Sequence, residues 1–281
     1  MNKVFFNGEI IDHQDAKISA SDAGFLYGAG LFETMRAENG KVFAIDDHLD
    51  RLFFSAKAIS ISIALDKDGL KDAVNQVLQA NQLKNARIRL TVSNGAMGTE
   101  TITPTVLNTA VENSGYPEEY YKKGVKVILS SYRQNTTDPL AGHKSTCYYS
   151  RLIALDQARQ KNCAESIWFT VDNRLAEACV SNVFLIKDGV IYTPTLETPV
   201  LAGIARKTIF EIARQQDIQT IEKDLFIHDL LEADEVFLTN VIMKTLPVTS
   251  IENHIVKDGK VGKMTKQLLE CFDIVIKRNC E

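Results

Sequence analysis

The chain opens on two short apolar-rich runs, KVFF and EIID, separated by Asn7-Gly8. That dipeptide takes the left-handed backbone of a two-residue turn, so a β-hairpin is predicted here. Three glycines then precede an alternating run that ends at a second turn, Asn39-Gly40. The period next becomes helical. Leu49, Leu52, Phe53 and Ala56 predict a helix over about 46–61, and Leu70, Ala73, Val74 and Val77 predict another over 67–82. β-Branched residues crowd ARIRLTVSNG and TPTVLNTAV, which read as strands.

Beyond these, VKVILSSYR reads as a strand and 133–147 as an irregular polar loop. YYSRLIALDQARQKN reads as a helix, and ESIWFTV opens a cluster of strands with turns at Asp172-Asn173 and Asp188-Gly189. Helices follow near IARKTIFEIARQQ and KMTKQLLECFDIVIKR. The polar stretch ENSGYPEEYYKKG contains Gly and Pro and is the best linker candidate. It divides the chain into a small α+β domain, 1–115, and a larger domain, 116–281. Strands and helices mix without a βαβα rhythm, which favours a two-domain α+β protein over a doubly wound sheet.

Composition narrows the function. The 281 residues are 45% apolar and 24% charged, enough to bury a core without disulfide or metal staples. A net charge of −4, from 32 basic and 36 acidic residues, gives no basic excess for nucleic acid. Five widely spaced cysteines with no C-x-x-C argue against a disulfide framework or zinc site and for a reducing cytoplasm. No apolar run approaches the roughly 20 residues of a membrane span, and MNKVFFNGEI reads as a strand rather than a signal core. The phosphate loop, H-E-x-x-H and G-x-S-x-G are absent, and Gly28-Ala29-Gly30 continues into Phe32-Glu33 where a dinucleotide fingerprint needs glycine. His13, His48, His143, His228 and His254 have no metal-ligand spacing, so no metal is expected.

Two residues and one tripeptide stand out by their surroundings. Lys144, in AGHKSTCYY, has small and aromatic neighbours and no nearby acid, whereas Lys122-Lys123 or Lys223-Asp224 sit among charges. It is either a surface-loop lysine or one kept partly unprotonated for chemistry. Glu177 is a lone acid among Ala176, Ala178, Cys179 and Val180, either exposed in a hairpin or partly buried with a partner. Gly203-Ile204-Ala205 opens a helix, whose N-terminal amides suit an anion.

The words DAGFLYGAGLFETMR with DDHLDRL, HKSTCYY, RLAEACVSNVF, TPVLAGIARK and ADEVFLTN occur in this order across nearly the whole chain. Together they resemble the class IV aminotransferases, the fold type IV enzymes of pyridoxal 5′-phosphate (PLP). The resemblance implies a two-domain α+β fold like that of D-amino-acid aminotransferases, PLP as cofactor, an amino-acid-like carboxylate substrate and a homodimer. It implies that Lys144 carries the cofactor and shuttles the substrate Cα proton, and that Glu177 keeps the pyridine nitrogen protonated. Arg51, Thr239 and the Gly203, Ile204 and Ala205 backbone would hold the phosphate, with Ser181 and Asn182 shaping the loop nearby. Ala205 replaces a common threonine, so only its amide is available there. Tyr148 is the candidate phenol beside the ring, with Tyr149 as competitor, and Cys147 stands where Asn is common.

Tyr27, Phe32 and Arg36 match substrate-pocket positions. Arg87 and Arg89, two apart on a predicted strand, share one face and are either carboxylate receivers or solvated charges. The usual Arg-x-His carboxylate trap of D-amino-acid transaminases is absent: Asn94 stands at the Arg position, and no histidine lies between His48 and His143. The branched-chain word F-E-G-[IL]-R is here FETMR. The words FLYGAGLFETMR, ARIRLTVSNG and ADEVFLTN look most like 4-amino-4-deoxychorismate lyases, which eliminate pyruvate to leave 4-aminobenzoate. The expected activity is therefore that lyase, with a D-amino-acid or branched-chain transaminase as the alternative.

Overall fold

The computed structural model describes residues 2–98 and 103–281. Strands β1 (Lys3–Phe6) and β2 (Glu9–Asp12) pair antiparallel through Asn7 and Gly8, at φ of 48° and 105°. A short helix, α1 (Ala23–Tyr27), leads to β3 (Gly30–Glu38), which turns at Asn39-Gly40 into β4 (Lys41–Val42). Helices α2 (Ile45–Ala58) and α3 (Lys67–Ala80) precede β5 (Ala86–Ser93) and β6 (Thr105–Glu112). The strands form one antiparallel sheet in the order β2-β1-β6-β5-β3-β4.

The period-two alternation of β3 decides what this sheet presents. Leu31, Met35 and Ala37 join a core with Leu49 and Leu52 of α2 and Leu70, Val74 and Val77 of α3. Phe32, Thr34 and Arg36 take the other face, beside their cross-strand partners Thr91, Arg89 and Arg87.

The second unit begins with α4 (Glu118–Lys123), β7 (Val125–Gln134), α5 (Tyr149–Gln160), β8 (Glu165–Thr170), β9 (Leu175–Ala178), β10 (Asn182–Lys187) and β11 (Val190–Thr193). It continues through α6 (Ile204–Gln215), β12 (Thr220–Glu222), α7 (Ile227–Leu231), β13 (Glu235–Asn240), β14 (Lys244–Ile251), β15 (His254–Ile255) and α8 (Lys263–Cys280). Its sheet runs β12-β11-β10-β13-β14-β7-β8-β9, with β15 on β14. The β12·β11, β14·β7 and β7·β8 pairs are parallel and the rest antiparallel. Val127, Ile167, Val183, Leu238 and Leu246 lie fully buried in its core.

A single break at 115 does not describe the two units. Residues up to Ser114 pack with His143–Tyr148 and Ile276–Glu281, while Gly115–Gly142 pack with Tyr149–Val275. Backbone pairing explains the first return: Ser145 bridges Leu31, and the Thr146 amide donates to the Gly30 carbonyl at 2.9 Å. The second return brings the Cys280 thiol to the Lys41 carbonyl. Part of the expected linker is helical, because Glu118–Lys122 and Glu119–Lys123 pair at i,i+4 along α4. Among the described residues no helix is long and apolar enough to cross a membrane, and no acid, histidine or cysteine group could hold a metal.

Candidate active site

Lys144 is placed by β3. The Phe32 amide donates to the Lys144 carbonyl at 2.9 Å, and the Lys144 amine lies 4.6 Å from the Phe32 ring centroid. Phe32 is a shared platform. The Tyr148 ring meets it edge-on at 5.4 Å, and the Arg89 guanidinium lies 3.8 Å from its centroid. Tyr148 is half-buried, whereas Tyr149 is 75% exposed at the start of α5, so the structure sets Tyr148 and not Tyr149 against this cluster.

The expected arginines separate. Arg36 pairs with Glu38, with Nε and Nη2 both 2.7 Å from Oε1. Arg87 and Arg89 are exposed, and among the described residues neither has an acid partner. Tyr27 stands 67% exposed at the end of α1.

Sequence reasoning left Glu33 without a role, yet it organises the buried face of β3. Its carboxylate takes Arg51 in a two-pronged bond, Nε to Oε1 at 2.8 Å and Nη2 to Oε2 at 2.5 Å. His48 Nδ1 adds a third contact at 2.7 Å. Burial works to raise the Glu33 carboxyl, but Arg51 and His48 outweigh it and hold it at about 2. Burial likewise pushes the His48 ring below its usual range, against the pull of Glu33. The signal was available: an acid in the inward phase of a strand, with Arg and His three apart on the next predicted helix. The two-pronged bond fixes the plane of the Arg51 guanidinium from inside the protein.

In the second unit, Glu177 on β9 is mostly buried and held at both oxygens. Arg151 Nη2 donates to Oε1 and the Leu201 amide to Oε2, each at 2.9 Å. The turn after Glu177 is tied back by Glu165, which accepts from the Cys179 amide and the Ser181 hydroxyl. Burial pushes the Glu165 carboxyl up to about 7, against those hydrogen bonds. The Ser181 hydroxyl thus donates its hydrogen bond to Glu165. Thr239 likewise donates to the Lys244 carbonyl at 2.6 Å, so the expected hydroxyl donor is an acceptor in this geometry. Asn182 and Thr239 are cross-strand partners, which brings the words VSN and LTN side by side.

Gly203 caps α6 on an ordinary backbone, φ −66° and ψ 137°, with no side-chain cap bond among the described residues. Its need for glycine is steric: a Cβ there would lie 2.1 Å from Asn182 Oδ1. Asn182 also donates Nδ2 to the Leu201 carbonyl at 2.9 Å. This is a close-approach cradle leading into the helix amides of Ile204 and Ala205, both buried. In the first unit a lysine beside an aromatic ring, and in the second an anchored lone carboxylate and an anion cradle, are each groups of the kind PLP uses.

A family model described as amino-transferase class IV matches residues 30–251. The chain belongs to the class IV aminotransferases. These are PLP-dependent enzymes, and the α+β architecture described above is the type IV fold. The chain is 34% identical over 276 residues to a putative branched-chain-amino-acid aminotransferase of Methanocaldococcus jannaschii, covering 96% of this chain and 95% of that one. It is 32% identical over 282 residues to a D-alanine aminotransferase of Staphylococcus epidermidis, covering 97% of each. Its fold is similar to that of a branched-chain amino acid aminotransferase from Escherichia coli, at TM-score 0.90, 28% identity and coverage of 100% and 96%. It is also similar to a putative 4-amino-4-deoxychorismate lyase of Legionella pneumophila, at TM-score 0.85, 25% identity and coverage of 94% and 97%.

Proposed function

We propose that this class IV aminotransferase is an amino-acid transaminase, moving an amino group from an amino acid to 2-oxoglutarate or pyruvate. The lyase expected from the sequence words takes second place. The relatives matched over 95% and 97% of their own length are named aminotransferases, while the protein named as a lyase is 25% identical. The observation that carries the reading is the Phe32 ring, which has the Lys144 amine at 4.6 Å and the Arg89 guanidinium at 3.8 Å. An amine for chemistry and a cation for a carboxylate at one ring suit an amino acid.

Bound PLP supplies the electron sink that makes the Cα–H bond of an amino acid ionisable. Lys144 Nζ holds the cofactor, then takes the Cα proton and returns it. The Phe32 ring lies beside the amine at 4.6 Å and limits where it can sit. Glu177, fixed at both oxygens, keeps the proton on the pyridine nitrogen. Tyr148 would lie beside the cofactor ring, and Arg89 and Arg87 would receive carboxylates. Arg51 and the α6 amides with Gly203 would hold the phosphate, while Asn182 and Thr239, paired across their strands, shape the backbone around that cradle.

The reading extends to a cytoplasmic homodimer. Phe25, Leu26 and Tyr27 are consecutive, large and apolar, and 74%, 47% and 67% exposed, which supports a covered surface there.

The test mixes PLP-loaded protein with L- and D-amino acids plus 2-oxoglutarate or pyruvate, and separately with aminodeoxychorismate. Conversion of the cofactor to pyridoxamine phosphate by an amino acid is expected. Release of 4-aminobenzoate without that conversion returns the lyase. Borohydride should fix PLP to Lys144; a label elsewhere removes the assignment.

A further inference from the structure

Arg151 on α5 matches none of the family words, yet it joins more of the second unit's candidate site than any assigned residue does. Its Nη2 donates to Glu177 Oε1 at 2.9 Å and to Gln134 Oε1 at 2.8 Å, and its Nη1 donates to the Ala178 carbonyl at 3.1 Å. The guanidinium carbon lies 4.4 Å from the centroid of Trp168, the single tryptophan of the chain. Both carboxylate and amide partners pass the connection onward to one short segment. Glu177 Oε2 accepts the Leu201 amide, and Gln134 Nε2 donates to the Pro199 carbonyl. Leu201 is gripped again at its carbonyl, by Asn182 Nδ2 and by the Gly203 amide at 2.8 Å.

Residues 199–203 are the run-in to α6. Two arms from one planar cation therefore end on the strip of backbone that sets the helix N-terminus. Both arms leave the same Nη2, whose two hydrogens are fixed in the guanidinium plane, so the two partners are held at a set angle and move as one. Removing it would release the Glu177 carboxylate and the Gln134 amide together, each left with half its partners.

We propose that Arg151 is a positioning residue that couples the Glu177 carboxylate to the anion cradle at Gly203, so that the pyridine nitrogen and the phosphate of one cofactor are bound as a unit. This rests on PLP being the ligand, as proposed above.

Titration of the full-length apoprotein with PLP, and with pyridoxal, which lacks the phosphate, tests it. Trp168 emission supplies a readout independent of turnover. Wild type should bind PLP more tightly than pyridoxal, with a change in emission. Arg151→Met should raise the PLP Kd on the order of tenfold to a hundredfold, the usual cost of losing a side chain that orients a ligating group. It should also narrow the ratio between pyridoxal and PLP, because the phosphate no longer gains from a cradle held in place. Arg151→Lys, keeping the charge without the fork, should recover part of the affinity and little of the ratio. Gln134→Leu, which cuts one arm, should move the ratio the same way and supports the test if Arg151→Met does not fold. An unchanged ratio with both ligands weakened alike makes Arg151 a fold-holding residue and overturns the proposal, as does unchanged PLP affinity. Wild-type protein that takes up no PLP removes the functional reading itself, and this inference with it.

Discussion

Lys144 and Phe32 are joined twice: the Phe32 amide donates to the Lys144 carbonyl at 2.9 Å, and the Lys144 amine faces the Phe32 ring at 4.6 Å. The backbone bond fixes where the lysine starts and the ring fixes where its amine ends. Few rotamers satisfy both, which limits the entropy lost when the amine engages a ligand.

The same ring separates two arginines that look alike in sequence. Arg89→Ala should raise KM for carboxylate substrates by about tenfold or more, the scale of one charge-assisted bond. Arg36→Ala should raise KM by less than Arg89→Ala does, because its Nε and Nη2 already pair with Glu38. Steady-state kinetics with one amino donor, varied in concentration, compares them. A larger KM effect at Arg36 than at Arg89 reverses the assignment.

Gly203→Ala should weaken PLP binding through contact rather than backbone strain. The added methyl meets Asn182 Oδ1, and relief of such overpacking costs about 1–3 kcal/mol. Asn182→Ser in the same chain should restore part of the affinity by shortening the obstructing side chain. Equilibrium titration of the single and double variants reads the non-additivity, and strictly additive losses count against a direct clash.

Glu33 should stabilise the fold most above pH 4.5. Its carboxyl is held at about 2 in the folded chain against an ordinary 4.5, so the unfolded state binds the proton first. The contribution is full above 4.5 and is lost as pH falls from there towards 2. Glu33→Gln should cost about 3–5 kcal/mol at neutral pH, since Arg51 and His48 are left buried without their anion. Urea midpoints at pH 7 and pH 3 check both the size and the convergence of the two proteins in acid.

Glu165 has the opposite sign. Its folded value, about 7, lies above the ordinary 4.5, so the folded state binds the extra proton between them and stability falls as pH rises through that window. The full effect is on the order of 3 kcal/mol at 1.36 kcal/mol per unit. Glu165→Gln should flatten the decline between pH 5 and pH 8 in denaturant midpoints. A wild-type profile already flat there removes the prediction.

Local chemistry made some of this readable in the chain. Asn7-Gly8 and Asn39-Gly40 are hairpin tips because their backbones need positive φ, and that preference belongs to the dipeptide itself. Lys144 could be picked out because its neighbours are small or aromatic and no acid is near, and Gly203 because it opens a predicted helix. The hydroxyls were opaque for a different reason. Ser181 turns to Glu165, sixteen positions earlier, and Thr239 to a carbonyl five positions later, so their directions come from folding and not from their own words. Arg151 was hidden similarly: its partners Gln134 and Glu177 lie seventeen and twenty-six positions away, on strands whose pairing no local period reveals. The six residues that return Lys144 to β3 looked like loop because a short bridge has no length in which to show alternation.

Those returns bear on how the protein can be divided. The chain leaves the first unit at 115, comes back at 143, leaves at 149 and comes back once more at 276. A fragment ending at the linker would carry the first hydrophobic core and the β3 edge that seats Lys144, but not Lys144 itself. The unit begun first is thus completed by the residues numbered last, and neither unit corresponds to an uninterrupted stretch of coding sequence. Exchanging it between relatives requires three separate pieces of chain, so shuffling at one junction would join mismatched parts of the same unit.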